Sequence, residues 1–478
     1  MTLFVSTPRS RSKKCFRLLL LTSIVSMAFL GTMLYTKSEI LTNSRRVIGS
    51  AYWILAQHSD EIADGLLVKM ASKNPVEGAQ CSRLINGDDF NTTKTESNMF
   101  RRGRSRDIAT FSKLIQTGNC QHFQEVRGYI MKPGSLEEKS FPISFSIIVF
   151  KKFYQIERLL RAIYRPQNQY CIHVDLKSDD ELKYNLANLT SCFDNVFISS
   201  KTINVQWGKF SVLEAELICM EDLLKRPRWK YFINLTGQEF PLKTNWEIVR
   251  ILKAYNGAND IAATIRRWVN AMYFTYLKLY YRTRHKEPAP HNITIVKGPV
   301  HTIMSRAFVD FIMHDKKALD FLDWTNGTYV PDETFFATLQ HNPDLGTPGA
   351  FRGEEEIYDV KPQALKHSFY LTGTNEELEK KKSMTRYKLW KPIPCNGTYV
   401  RQICIFAKGD LPRLAQAPQL FANKFYFDYG ELAYECLDEL HWNRTRDEYL
   451  YGLNFNTTFY ENLPTVRQAV NTGRDSDI

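Results

Sequence analysis

Residues 143–175 read ISFSIIVFKKFYQIERLLRAIYRPQNQYCIHVD, and this stretch is the most informative about the fold class. It begins with a largely apolar run of strand length at 143–150. A helix-like stretch ending in RLLRAIY follows, and then the short apolar run YCIHVD at 170–175. A strand, a helix and a second strand in this order are typical of a βαβ unit with parallel strands. The stretch therefore predicts an α/β fold, with a mostly parallel central sheet covered by helices on both faces.

The same alternation of strands and helices continues along the chain. NVFISS at 195–200, a helical pattern at 211–224 and WKYFINL at 229–235 follow in order. Ligands of open parallel sheets collect beyond the carboxyl ends of the strands. Two polar strand ends therefore predict the ligand-binding edge: His173 with Asp175, and residues 236–239, which end in Glu239.

The composition is that of an ordinary folded protein. The 478 residues include 63 Lys and Arg against 51 Asp and Glu, a net charge of +12, and 44% are hydrophobic. This balance excludes a fibrous or wholly disordered chain, and the length suits one large or two average domains. The basic excess is divided between residues 1–17 and the run at 101–106. It therefore does not predict one continuous nucleic-acid groove.

An uncharged apolar segment lies near the N-terminus. Residues 18–36 carry no charge, and a helix of roughly 20 such residues spans a bilayer. A cleaved signal peptide is the alternative, although its apolar core is usually only about 7–15 residues long. The basic residues before the segment place the N-terminus in the cytosol. We therefore predict a cytosolic tail (1–17), a transmembrane signal anchor (18–36), a stem (37–115), a lumenal catalytic domain (116–440) and a polar, weakly ordered tail (441–478).

The cysteines and glycosylation sequons fit a lumenal domain. Cys15 lies beside the predicted anchor, and the other eight cysteines form an even set suited to four disulfides in an oxidising compartment. No CxxC pair is present, so a thiolate zinc site is not expected. Asn234 lies in an apolar run and is predicted to be buried. The remaining sequons are candidates for N-glycosylation: Asn91, Asn188, Asn292, Asn326, Asn396, Asn443 and Asn456.

The segment TYVPDETFFATL at 328–339 contains the candidate base. Pro331, Asp332 and Glu333 precede an apolar periodic stretch, which indicates a helix start where carboxylates are favoured. Capping alone is one interpretation of this pattern. An inverting sugar transfer, however, needs a carboxylate that takes the proton from the attacking hydroxyl, and Glu333 would serve.

Two basic residues are candidates for binding an anionic leaving group. Arg401 lies in VRQICIFAKGDL at 400–411, and Lys424 lies in LFANKFYFD at 420–428. Together they would neutralise a diphosphate, although isolated basic residues are commonly plain surface positions.

Several longer blocks resemble a known family. LLRAIYRPQNQYCIHVDLKS, SCFDNVF, WKYFINLTGQEFPLKTN, YVPDE with FATL, and ICIF-x-x-GDL with LFANKF and CLDE occur in this order. They closely resemble the core 2 / I-branching β1,6-N-acetylglucosaminyltransferases over about residues 78–440. These are Golgi type II membrane enzymes with a GT-A-like fold, which branch mucin-type O-glycans and poly-lactosamine.

The resemblance implies roles for individual residues. It puts Glu333 at the position of the catalytic base, and Arg401 and Lys424 at the diphosphate-binding pair. The strand-end prediction adds Asp175 and His173 to the UDP site. It also implies catalysis without a metal or other cofactor, and the later chain has a literal Asp-x-Asp only at 475–477. The implied disulfides are Cys81–Cys436, Cys120–Cys192, Cys171–Cys219 and Cys395–Cys404.

Departures from the family pattern concentrate where the acceptor is expected. Thr236 replaces a usual Cys, and DIAATIRRWVNAMYFTYLKLYYR at 260–282 replaces a Glu-rich segment. The aromatic pair of the sugar pocket falls on His367 and Phe369, and Glu239 is a further candidate for this pocket. The predicted activity is transfer of N-acetylglucosamine from UDP-GlcNAc to the C6 hydroxyl of a mucin-type O-glycan such as Galβ1-3GalNAc on glycoproteins. The alternatives are transfer of glucose or xylose from UDP, and a catalytically inactive lumenal glycan-binding protein.

Overall fold

The computed structural model describes residues 80–88, 111, 113–226, 228–263, 286–353, 383–391, 393–426 and 428–469. Apart from residues 448–452, these belong to one compact unit. The predicted anchor at 18–36 lies outside the described residues, as do most of the stem, Asn91, His367 and Phe369. None of the described helices is long and apolar enough to cross a membrane.

The strands are β1 (Ile143–Val149), β2 (Gln169–Val174), β3 (Val196–Ile198), β4 (Tyr231–Thr236), β5 (Glu239–Pro241), β6 (Ile303–Ser305), β7 (Arg386–Tyr387), β8 (Thr398–Val400), β9 (Ile403–Ile405) and β10 (Phe421–Asn423). The helices are α1 (Cys81–Asn86), α2 (Cys120–Arg127), α3 (Leu136–Ser140), α4 (Phe153–Ile163), α5 (Asp180–Thr190), α6 (Phe210–Leu224), α7 (Asn245–Tyr255), α8 (Arg306–His314), α9 (Lys316–Thr325), α10 (Phe335–Gln340), α11 (Leu411–Gln416), α12 (Glu431–Tyr451), α13 (Thr458–Glu461) and α14 (Pro464–Arg467). Short 3-10 turns lie at Pro290–Asn292, Pro331–Glu333, Pro343–Leu345 and Lys408–Asp410.

The central sheet confirms the predicted βαβ arrangement. Its strand order is β3-β2-β1-β4-β6. β1 pairs in parallel with β2 and β4, β2 pairs in parallel with β3, and β6 joins the edge antiparallel to β4. Helices α4, α5 and α6 form the crossovers between successive parallel strands. The carboxyl ends of β2, β1 and β4 therefore lie side by side, as the strand-end prediction requires.

The two faces of β1 are filled differently. Ile143, Phe145 and Ile147 pack into an apolar cluster with α4 and α7. The alternate residue Ser146 faces α6, where its hydroxyl donates a 2.5 Å hydrogen bond to Glu216. A serine is tolerated in this buried strand because its hydroxyl has a partner.

A smaller sheet and a hairpin extend the domain beyond β4. β10 pairs antiparallel with β5 and parallel with β7, and β8 pairs antiparallel with β9. These strands enclose a third apolar cluster that includes Phe240, Phe406 and Phe425. This part carries several of the predicted site residues.

The structure contains four disulfides, and they join the pairs that the resemblance implied: Cys81–Cys436, Cys120–Cys192, Cys171–Cys219 and Cys395–Cys404. Cys171–Cys219 ties β2 to α6, and Cys81–Cys436 ties α1 to α12. Asn234 is buried as predicted, with its side chain bonded to Val300 O and Thr302 N.

The C-terminal region differs from the weakly ordered tail that the sequence predicts from residue 441. Helix α12 runs through that boundary to Tyr451. Beyond it, Tyr460 and Leu463 are buried in the same apolar cluster as β1. The segment is polar on average, but these two side chains supply enough apolar surface to hold it on the core.

Candidate active site

Glu333 ends the turn Pro331–Glu333, which precedes α10. The sequence predicts a helix start here, and the structure makes this first part a 3-10 turn. Val330 enters it with a left-handed φ of 54°, and its N–H donates to Gly208 O at 3.0 Å. Glu333 O accepts from Gly298 N at 2.8 Å, and Lys297 Nζ lies 3.2 Å from Glu333 Oε2. The backbone of the base candidate is thus held from two sides, while its carboxylate stays 34% exposed.

Glu239 is fully buried at the start of β5 and lies at the centre of a polar network. Its carboxylate accepts hydrogen bonds from Arg386 Nε at 2.9 Å, Asn423 Nδ2 at 2.9 Å and Thr236 N at 3.3 Å, and His301 Nε2 lies 3.1 Å away. Burial alone would raise the pKa of Glu239, but Arg386 and the hydrogen bonds outweigh it and lower the pKa to about 2. The sequence predicts Glu239 as a sugar-pocket residue. In the structure it is buried and orients the groups around it, and its place in the sugar pocket stays a prediction.

His301 and Lys388 extend this network, and sequence reasoning missed both of them. Lys388 Nζ lies 3.0 Å from His301 Nδ1. Burial lowers the pKa of His301 to about 3, so the ring is neutral. His301 precedes β6 and Lys388 follows β7, in two short segments that are far apart in the sequence. No sequence pattern around either residue predicts that the two side chains will be in contact. We call Glu239, His301, Arg386, Lys388 and Asn423 the Glu239 cluster.

Lys424 is half-buried directly after β10, next to the Glu239 cluster. Burial lowers the pKa of Lys424, the Glu239 carboxylate opposes this, and the cations Arg401 and Lys151 lower it further. The structure therefore brings Lys424 and Arg401 into electrostatic range of each other, as a diphosphate-binding pair requires.

Arg401 lies at the exposed tip of the β8–β9 hairpin. Arg401 and Gln402 have φ angles of 50° and 71°, so both central residues of this two-residue turn are left-handed. Such hairpin turns favour Asn and Gly, and other residues adopt this conformation at a cost. The Cys395–Cys404 disulfide and a 2.8 Å hydrogen bond from Cys404 N to Leu389 O hold the hairpin. A strained turn that carries a cation is a feature expected of a ligand site.

The two residues at the end of β2 have different surroundings. Asp175 lies at the carboxyl end of the sheet, where it accepts from Lys177 N at 3.0 Å and Lys177 Nζ at 2.9 Å. His173 is fully buried, and its Nε2 accepts from Ile203 N at 3.3 Å. Burial lowers the pKa of His173, so the ring is neutral. Asp175 lies at the predicted ligand edge, and His173 holds the backbone after β3. The assignment of both residues to the UDP site stays a prediction.

An exposed aromatic pair flanks the turn of Glu333. Trp207 is 71% exposed and Tyr329 is 51% exposed, and their ring centroids are 5.7 Å apart. Gly208 has a φ of 76°, and a Cβ there would lie 2.9 Å from Tyr329 Cε2, so glycine permits this contact. The sequence did not single out this pair, whose ring faces suit stacking against a sugar or a base.

One grouping of metal-ligand types occurs among the described residues, at Cys395, Cys404 and Asp410. The two sulfurs form a disulfide. Asp410 accepts from Asn396 N and Ala407 N, both at 3.1 Å. These atoms hold the hairpin together and are not available to bind a cation.

Among the predicted site residues, Glu239, Glu333, Arg401 and Lys424 form one electrostatically connected group. Glu239 acts electrostatically on Lys388 and on Lys424, Glu333 acts on Lys388, and Arg401 acts on Lys424. A carboxylate base candidate and a pair of cations are thus both within electrostatic range of groups around one buried carboxylate. This is the charge pattern that a transfer from a diphosphate donor to a hydroxyl acceptor needs.

Comparison with known proteins identifies the family. The family model described as Core-2/I-Branching enzyme matches residues 143–414, and the chain belongs to this family. A beta-1,3-galactosyl-O-glycosyl-glycoprotein beta-1,6-N-acetylglucosaminyltransferase 3 from Mus musculus is 33% identical over 393 residues, covering 80% of this chain and 86% of the relative.

Two human relatives are named for different acceptors. A beta-1,3-galactosyl-O-glycosyl-glycoprotein beta-1,6-N-acetylglucosaminyltransferase from Homo sapiens is 34% identical, covering 78% of this chain and 87% of the relative. An N-acetyllactosaminide beta-1,6-N-acetylglucosaminyl-transferase from Homo sapiens is 36% identical, covering 70% of this chain and 80% of the relative.

Proposed function

We propose that this protein is an inverting β1,6-N-acetylglucosaminyltransferase with a GT-A-like fold. It transfers N-acetylglucosamine from UDP-GlcNAc to the C6 hydroxyl of a mucin-type O-glycan such as Galβ1-3GalNAc. Family membership and the names of its relatives support the donor and the acceptor class. The observation that carries the proposal is that Glu333 and the Arg401–Lys424 pair both lie within electrostatic range of the groups around Glu239.

In this proposal Glu333 takes the proton from the acceptor hydroxyl as its oxygen attacks the anomeric carbon. The bond from that carbon to the diphosphate breaks on the opposite face, so an α-linked donor gives a β-linked product. Arg401 and Lys424 stabilise the negative charge that grows on the leaving UDP. The Glu333 turn, held by hydrogen bonds to Gly208 O and from Gly298 N, keeps the base in place.

The proposed reaction is independent of metals, because two protein cations perform the neutralisation that a divalent ion otherwise provides. Transfer should continue in a chelator. Complete loss in chelator with recovery in manganese would contradict this part of the proposal.

A lactosamine acceptor is the second candidate, because the N-acetyllactosaminide enzyme is also a close relative at 36% identity. The deciding experiment incubates the purified full-length protein with UDP-GlcNAc, UDP-glucose or UDP-xylose, and with Galβ1-3GalNAc or poly-lactosamine. Linkage analysis of the product should give GlcNAcβ1-6 on the GalNAc. Product only on lactosamine would favour the second candidate, and transfer of glucose or xylose would change the donor.

We further propose that the protein is a type II Golgi membrane protein with residues 37–478 in the lumen. Four disulfides support an oxidising compartment. In sealed Golgi vesicles the C-terminal domain should resist added protease until detergent is present. Digestion without detergent would refute this orientation.

A further inference from the structure

A groove of about 190 Å³ lies between residues 114–119 and helix α5. The buried residues that line it are the apolar side chains Leu114, Ile115 and Phe123. The exposed residues that line it are polar or small, apart from Tyr184. Pockets for drug-sized ligands occupy roughly 300–1,000 Å³. The groove therefore suits one small group that is partly polar and partly apolar.

The walls of the groove are fixed by bonds that do not involve a ligand. The Cys120–Cys192 disulfide joins the two walls just beyond residues 114–119 and α5. Gln124 Nε2 donates a 2.5 Å hydrogen bond to Cys192 O. On the wall opposite α5, Thr117 Oγ1 donates to Leu114 O at 2.8 Å. A preformed groove of this kind loses little conformational entropy when it is filled.

Asn188 lines the groove and begins the sequon Asn188-Leu189-Thr190. It is half-buried near the end of α5, whereas Leu189 packs in the same apolar cluster as β1. Side chains of an α-helix lean toward its N-terminus, so the Asn188 carboxamide lies over the turn that carries Tyr184. A sugar attached to Asn188 would therefore begin at the groove.

Tyr184 supplies an aromatic surface at the same place. It lines the groove and is 61% exposed. Asn188 follows it by four residues in α5, a spacing that puts their Cβ atoms about 5–6 Å apart on one face of the helix. Across the groove, a Cβ placed on Gly118 would have no atom of a non-neighbouring residue within 4 Å. The space beside the Tyr184 ring is thus open on the opposite wall.

The first sugar of an N-glycan is N-acetylglucosamine, and its chemistry matches these surroundings. One face of its ring carries C–H groups, which stack on an aromatic ring such as that of Tyr184. Its acetamido methyl group is apolar and suits the surface of Leu114 and Phe123. Its hydroxyl and amide groups suit the polar, exposed part of the groove.

We propose that Asn188 carries an N-glycan whose first N-acetylglucosamine fills this groove, with its ring against Tyr184. On attachment, Asn188 Nδ2 forms a bond to C1 of the sugar and loses one proton. The bond from C1 to a lipid-linked diphosphate breaks, and the diphosphate leaves with the electron pair. The sugar would link residues 114–119, where the chain enters the catalytic domain, to α5. This inference uses the lumenal orientation proposed above and is independent of the proposed reaction.

The first test uses full-length protein made in eukaryotic cells that glycosylate secretory proteins. Mass spectrometry of its glycopeptides should show a glycan on Asn188. An endoglycosidase that cuts between the first two sugars is then added to the native protein. Tyr184→Ala should speed release at Asn188 by about threefold to tenfold, because a stacking contact that hinders the enzyme is lost. Release at every other occupied sequon should keep its rate.

The second test is a double-mutant cycle on thermal unfolding. Thr190→Val removes the sequon and leaves Asn188 in place. Tyr184→Ala should lower the unfolding midpoint by about 1–3 °C when the glycan is present, and should have little effect in the Thr190→Val background. Tyr451→Ala is the matched control, since Tyr451 is a 66% exposed helical tyrosine. Its effect should be the same in both backgrounds.

An Asn188 side chain without a glycan would overturn the inference. If other sequons then carry glycans, the proposed lumenal orientation stands, and if none does, that orientation fails as well. The inference is also overturned if Tyr184→Ala has equal effects in both backgrounds, because the groove then has another occupant or none. Neither result bears on the proposed sugar transfer, which is assayed separately.

Discussion

Glu333→Gln is the most direct test of the proposed chemistry, because the amide keeps the shape of the side chain and removes its basicity. A positioned general base contributes roughly 10²–10⁴-fold in rate. This corresponds to about 3–5 kcal/mol of transition-state stabilisation. We expect turnover of Glu333→Gln to fall by at least about two orders of magnitude. UDP binding should persist, since Arg401 and Lys424 are untouched.

The structure also predicts that this variant remains folded. Glu333 is 34% exposed, and its Lys297 partner is 26% exposed at 3.2 Å. Ion pairs of this kind contribute about 0–1 kcal/mol to stability. Glu239→Gln is the contrasting variant, because Glu239 and Arg386 are both fully buried at 2.9 Å. Breaking a buried pair costs about 3–5 kcal/mol, so Glu239→Gln should be clearly destabilised.

Three measurements on both variants test the role of Glu333 and the predicted stabilities: product formation, UDP binding by calorimetry, and urea unfolding. Low turnover with near wild-type stability and UDP affinity is expected for Glu333→Gln. Near wild-type turnover would refute the assignment of the base and direct attention to Asp332. Strong destabilisation of Glu333→Gln would refute the reading of its ion pair as a weak surface contact.

Lys424→Ala should weaken UDP binding as well as rate, in contrast to Glu333→Gln, and an unchanged UDP affinity would remove Lys424 from the diphosphate site. Mass mapping of the non-reduced protein should find no free thiol beyond Cys15, and a free Cys171 or Cys219 would contradict the bridge between β2 and α6. Glu239 has a folded pKa of about 2, against about 4.3 for an unfolded glutamate. Its ionised form therefore stabilises the fold above about pH 4.3, and this contribution is lost as the pH falls toward 2. The stability difference between wild type and Glu239→Gln should shrink over that interval, and a constant difference would contradict the assigned ion pair.

The fold could be predicted in outline because its signals are local. Apolar runs of strand length at 143–149 and 170–174, separated by an amphipathic stretch, indicate a βαβ unit without any knowledge of distant contacts. The prediction was less accurate where packing overrides composition. Tyr460 and Leu463 anchor a segment that is polar on average, and two buried side chains are too few to change a compositional pattern.

Local periodicity and motif order were enough to predict the parallel sheet, the edge where ligands are expected, the family, and the candidates Glu333, Arg401 and Lys424. The burial of Glu239, the hydrogen bond of His173 to the backbone, and the contact between Lys388 and His301, which are 87 residues apart, emerge only in the folded chain. Contacts of this kind depend on which strands become neighbours, and desolvation then sets the charges of the groups that meet. Neither the strand neighbours nor the degree of desolvation can be read from the separate sequence segments.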